Sequence, residues 1–322
     1  MAVTYRPATL DDAALASDLM TRAYPPLPQD PVMTRYRWEH PRMEYAYARF
    51  FAQRDAEPVA YLGWVHGPWS KVADRHCEVE VWLDKNALDP DVLTGMWRWI
   101  GDEAVAEESA LLLAYCAEDE PEMLGALAQL GYERARTAKV WELDLNLQGP
   151  RLIMEAADAR ARMDRAGIRL LTLADWADAE KFHKLHALDE RTVQDIPHTL
   201  TIVPETFEDF DRRAHAPDRR QDRWWVACDG TGLVGMSYLK FPPVRGTVWT
   251  GYTCTHPDYR GRGIARAVKL QSLAQAAQLG VPVVCTDNDA ENASMLHINE
   301  ALGYVRRPGW VEHHKRVRTS SA

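Results

Sequence analysis

Two arginines and two glycines alternate at Arg260, Gly261, Arg262 and Gly263, followed by Ile264 and Ala265. An apolar, strand-like run from Thr247 to Thr255 precedes them, and a segment to about Leu279 places Ala267, Leu270, Ala274 and Ala277 on one helical face. Pro257 has no amide hydrogen and Asp258 favours turns, so the strand stops at about His256. Glycines permit backbone dihedrals that a side chain forbids, and they let a ligand come close to the main chain. A helix starting just after them points free amides and the positive end of its dipole into the loop. Arginines, glycines and helix start together make an anion site, and phosphate is the anion they suit. The same residues also serve a plain strand-to-helix turn. No lysine followed by serine or threonine is present, nor a third glycine three residues on, which sets the loop apart from the nucleotide P-loop and the dinucleotide-binding turn.

A second stretch, Asn292 to Tyr304, reads as a helix closed by Gly303. Asn292 and Asn299 lie two turns apart and look to one side, and Met295 and Leu302 draw that side toward a sheet. Asn292 equally suits an N-cap. The pattern Arg260-x-x-Gly263-x-Ala265 after a strand, together with the helix from Asn292 to Tyr304, resembles the GNAT superfamily of N-acetyltransferases. The resemblance implies that Arg260, Gly261, Arg262, Gly263, Ile264 and Ala265 hold the pyrophosphate of acetyl-CoA. It implies that Asn292 and Asn299 run beside the pantetheine arm, which lies between splayed strands at Thr247–Thr255 and Val281–Thr286. Backbone at Cys254 and Thr255 then pairs with that arm and can hold the developing oxyanion. Direct transfer from acetyl-CoA to an amine in a ternary complex follows from the same resemblance.

Two departures bear on catalysis. Where many relatives carry a tyrosine that protonates the leaving sulfur, this chain has Asn299, which is no acid. Where some carry a glutamate base near Thr247, the whole strand lacks a carboxylate. Glu190 and Asp195, in a polar, irregular segment from Asp189 to Arg223, are the general-base candidates; either also suits an ordinary surface acid. Cys254 and Cys285 fall on the two splayed strands and raise an acyl-cysteine route, but no histidine partner can be assigned and strand cysteines commonly just pack. His313 and His314 are adjacent in a strand and face opposite ways, so they do not share a metal ion.

The elements that must position these residues occur twice. Strand, helix, hairpin, strand, helix, strand, helix and Leu-Gly-Tyr recur, with Leu130-Gly131-Tyr132 matching Leu302-Gly303-Tyr304. A repeat this long is a domain duplication rather than a solenoid. The expected fold is α/β (α+β): two GNAT-like domains in tandem, each a mixed, mostly antiparallel twisted sheet flanked by helices. The expected boundaries are 1–146 and 168–322, joined by a linker with a short helix at 147–167. After the first-half strand His76 to Leu83 comes Asp84-Lys85-Asn86-Ala87-Leu88-Asp89-Pro90, with no glycine and acids where a diphosphate would lie, and Glu120 aligns with Asn292. Like charges oppose a polyanion. The first half is therefore expected to keep the fold without acyl-CoA, to pack on the active half and to wall its cleft.

Composition is consistent with this. The 322 residues are 46% hydrophobic and 26% charged, enough for two domains, and a net charge of -9 argues against a nucleic-acid partner while suiting a cationic amine. No run of 18 apolar residues occurs, and Met1 to Arg6 lacks a signal-peptide pattern, so no membrane partner is expected. Five widely spaced cysteines without zinc spacing suit a reducing cytoplasm. The function expected is acetyl transfer from acetyl-CoA to a primary amine of a small molecule. A non-catalytic CoA-binding regulator and a peptide or protein acetyltransferase are the alternatives.

Overall fold

The computed structural model describes residues 3–196, 200–230 and 232–317. The first half runs β1 (Thr4–Pro7), α1 (Ala13–Ala23), α2 (Pro31–Glu39), β2 (Ala46–Arg54), β3 (Glu57–His66), β4 (His76–Leu83), α3 (Pro90–Ala106), β5 (Leu111–Ala117), α4 (Pro121–Gln129) and β6 (Glu133–Asp144). A helix, α5 (Leu145–Arg165), leads to β7 (Ile168–Thr172), α6 (Lys181–Val193), α7 (Phe207–Ala214), β8 (Trp224–Asp229), β9 (Gly232–Lys240), β10 (Val248–Thr255), α8 (Ile264–Gln278), β11 (Val283–Asp289), α9 (Ala293–Leu302) and β12 (Val305–Arg316).

All twelve strands form one sheet in the order β1-β2-β3-β4-β5-β12-β6-β11-β10-β9-β8-β7. The last strand of each half has entered the other half's sheet. Thus β12 lies between β5 and β6, and β6 lies between β12 and β11, every one of these pairings antiparallel. The register of Val311 on Cys116 and on Thr137 fixes the exchange in the middle of the molecule. Each half alone would expose an unpaired edge at this place, so the exchange covers what would otherwise be a sticky template.

The expected linker with a short helix is instead α5, 21 residues long and packed against α8. Asp144 caps its first turn by accepting from the Leu147 amide at 3.1 Å. Gly149 permits the close approach, since a Cβ there would lie 3.0 Å from that of Ala277. With the sheet on one side and α5 on the other, α8 is buried all round rather than along one stripe. Even Lys269, Gln271 and Ser272 are buried. Gln271 satisfies its amide on the Ala156 carbonyl at 2.7 Å and accepts from Arg160 at 3.0 Å.

The segment read as irregular, Asp189 to Arg223, contains the end of α6 and the whole of α7; its residues 197–199 lie outside the described residues, as does Thr231. Helix α6 starts only at Lys181, because Asp175 and Asp178 form side-chain turns first: Thr172 donates to Asp175 at 2.6 Å and the Glu180 amide donates to Asp178 at 2.8 Å. Helix α7 is capped by Thr206, which accepts from the Asp209 amide at 3.2 Å, and it buries Phe210 and Ala214.

The halves are also tied face to face. Asp30 accepts from the Val244 and Arg245 amides at 2.6 and 2.9 Å, and the Tyr36 hydroxyl donates to the Arg212 carbonyl at 2.6 Å. These contacts bring the end of α2 over α7 and set Arg42 against the second half.

Candidate functional site

Strand β10 ends at Thr255, a short 3-10 turn follows at Pro257–Tyr259, and α8 starts at Ile264. Gly261 and Gly263 have φ of 77° and 79°, the left-handed region that favours glycine. A Cβ on either would meet no atom within 4 Å, so the loop opens onto free space. Among the described residues, the amides from Gly261 to Ala265 donate to no group of the protein. Free amides at a helix start in an open loop are an anion cradle. Beside it lies a cavity of about 410 Å³ lined by Arg162, Arg165, Arg262, Gly263 and Arg266. Arg162 and Arg165 come from α5 and were not singled out from the sequence.

The other arginines of the loop are partly engaged. Arg260 forms an ion pair with Asp195, and Arg262 stacks on Tyr259 at 4.7 Å and donates to the Asp258 carbonyl at 3.3 Å. Arg266 donates to Glu155 at 2.6 Å.

Strands β10 and β11 are parallel neighbours only at Val248 with Val284 and Trp249 with Cys285; beyond those pairs they run apart. On the other side, the β9–β10 register shifts between Thr250 and Tyr252, leaving Gly251 as a bulge. A Cβ on Gly251 would fall inside the ring of Tyr238. A glycine within a strand was the available signal for this feature, and sequence reasoning passed over it. We expect Gly251→Ala to cost about 1–3 kcal/mol of stability by overpacking and to turn Tyr238 out of its place. Thermal unfolding checks this, and an unchanged Tm would contradict the bulge.

Cys254 and Thr255 stand at the open end of this splay, and the buried Thr255 hydroxyl has no partner. The fit to an extended polar arm is therefore good: a bulged strand at Gly251, an orphaned hydroxyl at Thr255 and free amides from Gly261 to Ala265 follow one another along the chain. Burial pushes the thiols of Cys254 and Cys285 up to about 12, so both stay protonated at neutral pH, which removes the support for the acyl-cysteine route.

Asn292 is the N-cap of α9, accepting from the Met295 amide at 3.3 Å. Asn299 is fully buried and engaged at both ends of its amide. It accepts from Lys269 Nζ at 2.7 Å and donates to Asn288 at 2.6 Å. Its side chain thus ties α8 to α9 and β11 and faces no open space. Lys269, wholly buried, is pulled down to about 7 by desolvation.

On the opposite face of the splay a cavity of about 680 Å³ is bounded by α6, by Ile202 to Glu205, by Gly251 and Tyr252, and by Arg42 of the first half. Glu190 lines it and forms no ion pair among the described residues. Asp195 does not line it; its carboxylate is held by Arg260. The neighbouring Asp189 is raised by burial despite Arg213, which pairs with it at 3.2 Å and with Glu205 at 2.7 Å. The Tyr252 hydroxyl meets Thr192 at 3.0 Å. Asp287 was not foreseen either. It lies two residues past the last β10–β11 pair, raised by burial, with Lys240 opposing that shift and itself pulled down to about 8 by desolvation.

The corresponding place in the first half is built differently. Helix α3 begins with Pro90, and Asp89 accepts from the Asp91 and Val92 amides at 3.0 and 3.2 Å, so a carboxylate already fills the helix start. A cavity of about 230 Å³ there is lined by Tyr24, Lys85, Asp119, Glu120 and Glu122. Among the described residues, no group of three or more His, Cys, Asp or Glu side chains is placed to hold a metal ion, and no helix is long and apolar enough to cross a membrane.

Comparison with known proteins adds the following. Residues 165–305 match the model of the acetyltransferase (GNAT) domain. A solved tandem GNAT protein from the clavulanic acid biosynthesis pathway, without AcCoA, superposes with a TM-score of 0.75 at 17% identity, covering 99% of this chain and 100% of its own. A GCN5-related N-acetyltransferase from Sphaerobacter thermophilus gives 0.69 at 17% identity, covering 98% and 96%. The glucosamine N-acetyltransferase region of a fungal multi-domain GH3 β-N-acetylglucosaminidase gives 0.68 at 12%, covering 98% of this chain and 38% of that one. No curated protein matches the sequence. At these identities the solved structures speak for the fold alone, which is that of a tandem GNAT protein.

Proposed function

We propose that this chain, whose residues 165–305 match the acetyltransferase (GNAT) domain, transfers an acetyl group from acetyl-CoA to a primary amine of a small molecule. The observation that carries this reading is that β10 borders both spaces, its end leading into the glycine loop and its residues Gly251 and Tyr252 lining the 680 Å³ cavity. The free amides of Gly261 to Ala265 open on one side, and the 680 Å³ cavity with Glu190 opens at the bulge of Gly251. Acetyl-CoA supplies a thioester carbonyl that a neutral amine can attack. The loop amides, Arg262 and the arginines of α5 hold the phosphates. Backbone around Gly251 to Thr255 steadies the carbonyl oxygen as charge develops.

Glu190 takes the proton that the ammonium must lose before attack, as an exposed carboxylate inside the cavity. Asp195, held by Arg260, positions that arginine beside the loop instead. With Asn299 engaged by Lys269, no side chain of α9 is assigned as proton donor; a thiol with a pKa of about 8.5 leaves without much help. Arg42 and the segment Ile202 to Glu205 roof the cavity, which supports a small acceptor over a peptide laid in an open groove. The filled helix start at Asp89 and the acidic lining at Glu120 support one acyl-CoA site per chain, in the second half. All five cysteines are free and buried, which suits a reducing compartment such as the cytoplasm.

Thiol release from acetyl-CoA over a panel of small amines tests the reading. At least one amine should be turned over, and Glu190→Gln should lower kcat about 100-fold while leaving acetyl-CoA affinity unchanged. Tight CoA binding with no thiol release from any amine would instead favour a binding protein.

A further inference from the structure

Next to the acceptor cavity the two halves enclose a second one, of about 410 Å³. Arg42 and Ile202 form the wall common to both. Glu78 of β4 lines this second cavity and also a third, of about 350 Å³, lined by first-half residues. Its carboxylate is surrounded by protein on most sides yet reaches solvent through the cavities, and among the described residues it makes no hydrogen bond and no ion pair.

The other ionisable groups lining the 410 Å³ cavity are engaged, His66 through Nδ1 with the Gly67 carbonyl at 2.8 Å while its buried Nε2 has no partner. Arg42 donates to the Tyr45 hydroxyl at 2.7 Å and to the Val203 carbonyl at 2.5 Å. Arg136 pairs with Asp289 at 2.5 Å, and His76 with Asp74 at 2.7 Å. Glu312 accepts from Tyr115 at 3.1 Å and pairs with His314 at 2.5 Å. In the third cavity Glu80 accepts from Trp82 at 2.7 Å and Arg49 stacks on Tyr47 at 4.2 Å; neither Arg37 nor Arg49 pairs with Glu78. Glu78 is open to the cavity, and a carboxylate there without a counter-charge, beside the negative Glu80 and Glu312, draws in a cation.

We infer that the acceptor carries a second positive group, and that Glu78 receives it while the reacting amine lies beside Glu190. The acceptor class is then a diamine, or an amine bearing a further ammonium group. The inference rests on the amine-acetylation reading above for the identity of the first cavity. Burial, reinforced by the negative Glu80 and Glu312, pushes the Glu78 carboxyl up to about 7, which is the state an incoming ammonium would reverse.

Equilibrium binding separates the two readings. Linear α,ω-diamines of increasing length and the monoamines of matching length are titrated into the CoA-bound protein by calorimetry, in the wild type and in Glu78→Gln. At pH 8 the best diamine should bind at least about tenfold more tightly than its monoamine, as a charge-assisted hydrogen bond warrants. Glu78→Gln should erase that margin and leave monoamine binding as it was. Because Gln fills the same space without the unpaired charge, thermal unfolding should show no loss of stability. Equal binding of both probe classes to the wild type, a preference that survives in Glu78→Gln, or no binding of any probe overturns the inference. Diamine binding without thiol release would leave it standing and count against the transfer reading instead.

Discussion

Gly263→Val should abolish acetyl-CoA binding, lowering affinity more than 100-fold, with the chain still folded. The residue has φ of 79° and is the N-cap of α8. A β-branched side chain resists that region, at a cost of about 1–2 kcal/mol, so the backbone turns and the amides of the cradle no longer converge. Nothing in the protein lies within 4 Å of the new Cβ, so the effect cannot come from a clash with the chain itself. It comes from lost amide direction and from methyl groups standing in the space offered to phosphate. Asp89→Ala is the matched control at the first-half helix start. It removes two hydrogen bonds to the Asp91 and Val92 amides and should cost about 1 kcal/mol of stability, yet leave binding unchanged. Titration calorimetry should give one acetyl-CoA per wild-type chain. A stoichiometry of two, or affinity of Gly263→Val within tenfold of the wild type, would sink the assignment of the loop.

The loop was legible in the sequence because its information is local. Two glycines alternating with two arginines at the start of a helix fix both left-handed dihedrals and free amides without help from the rest of the chain. The N-cap at Asn292 is legible for the same reason. What was not legible is whatever depends on distant segments. Nothing local to Glu133–Asp144 or Val305–Arg316 says that the two strands trade sheets, because each would satisfy a ladder equally well at home. Arg162, Arg165 and Arg42 reach the site only through the packing of α5 and through the ties between halves at Asp30 and Tyr36. Gly251 carried a usable signal, a glycine within a strand. Asn299 shows the opposite failure. Its helical face was read correctly as turned inward, but the partner waiting there, Lys269, lies on what the stripe of Ala267, Leu270 and Ala274 suggests is the solvent side of α8. The cover provided by α5 reverses that.

Replacing Lys269 by Met should change stability in opposite directions at low and high pH. Lys269 is 0% exposed, donates to Asn299 at 2.7 Å and stands 5.0 Å from the Tyr304 ring, with no carboxylate in an ion pair. Desolvation brings its folded pKa down to about 7, against about 10.5 in the unfolded chain. Below pH 7 the folded protein must carry the buried charge, and the cost is present in full, on the order of several kcal/mol. Between about 7 and 10.5 the unfolded state binds the extra proton, so this group makes stability rise with pH. Met fills a similar volume and removes the charge, but it leaves the Asn299 carbonyl without its donor, a cost of about 1–3 kcal/mol at any pH. The variant should therefore be more stable than the wild type at pH 6, and the two urea-unfolding free energies should converge and then cross as the pH approaches 10. Parallel curves would mean that Lys269 titrates normally and that the closed link from α8 through Asn299 to Asn288 is not built around a strained cation.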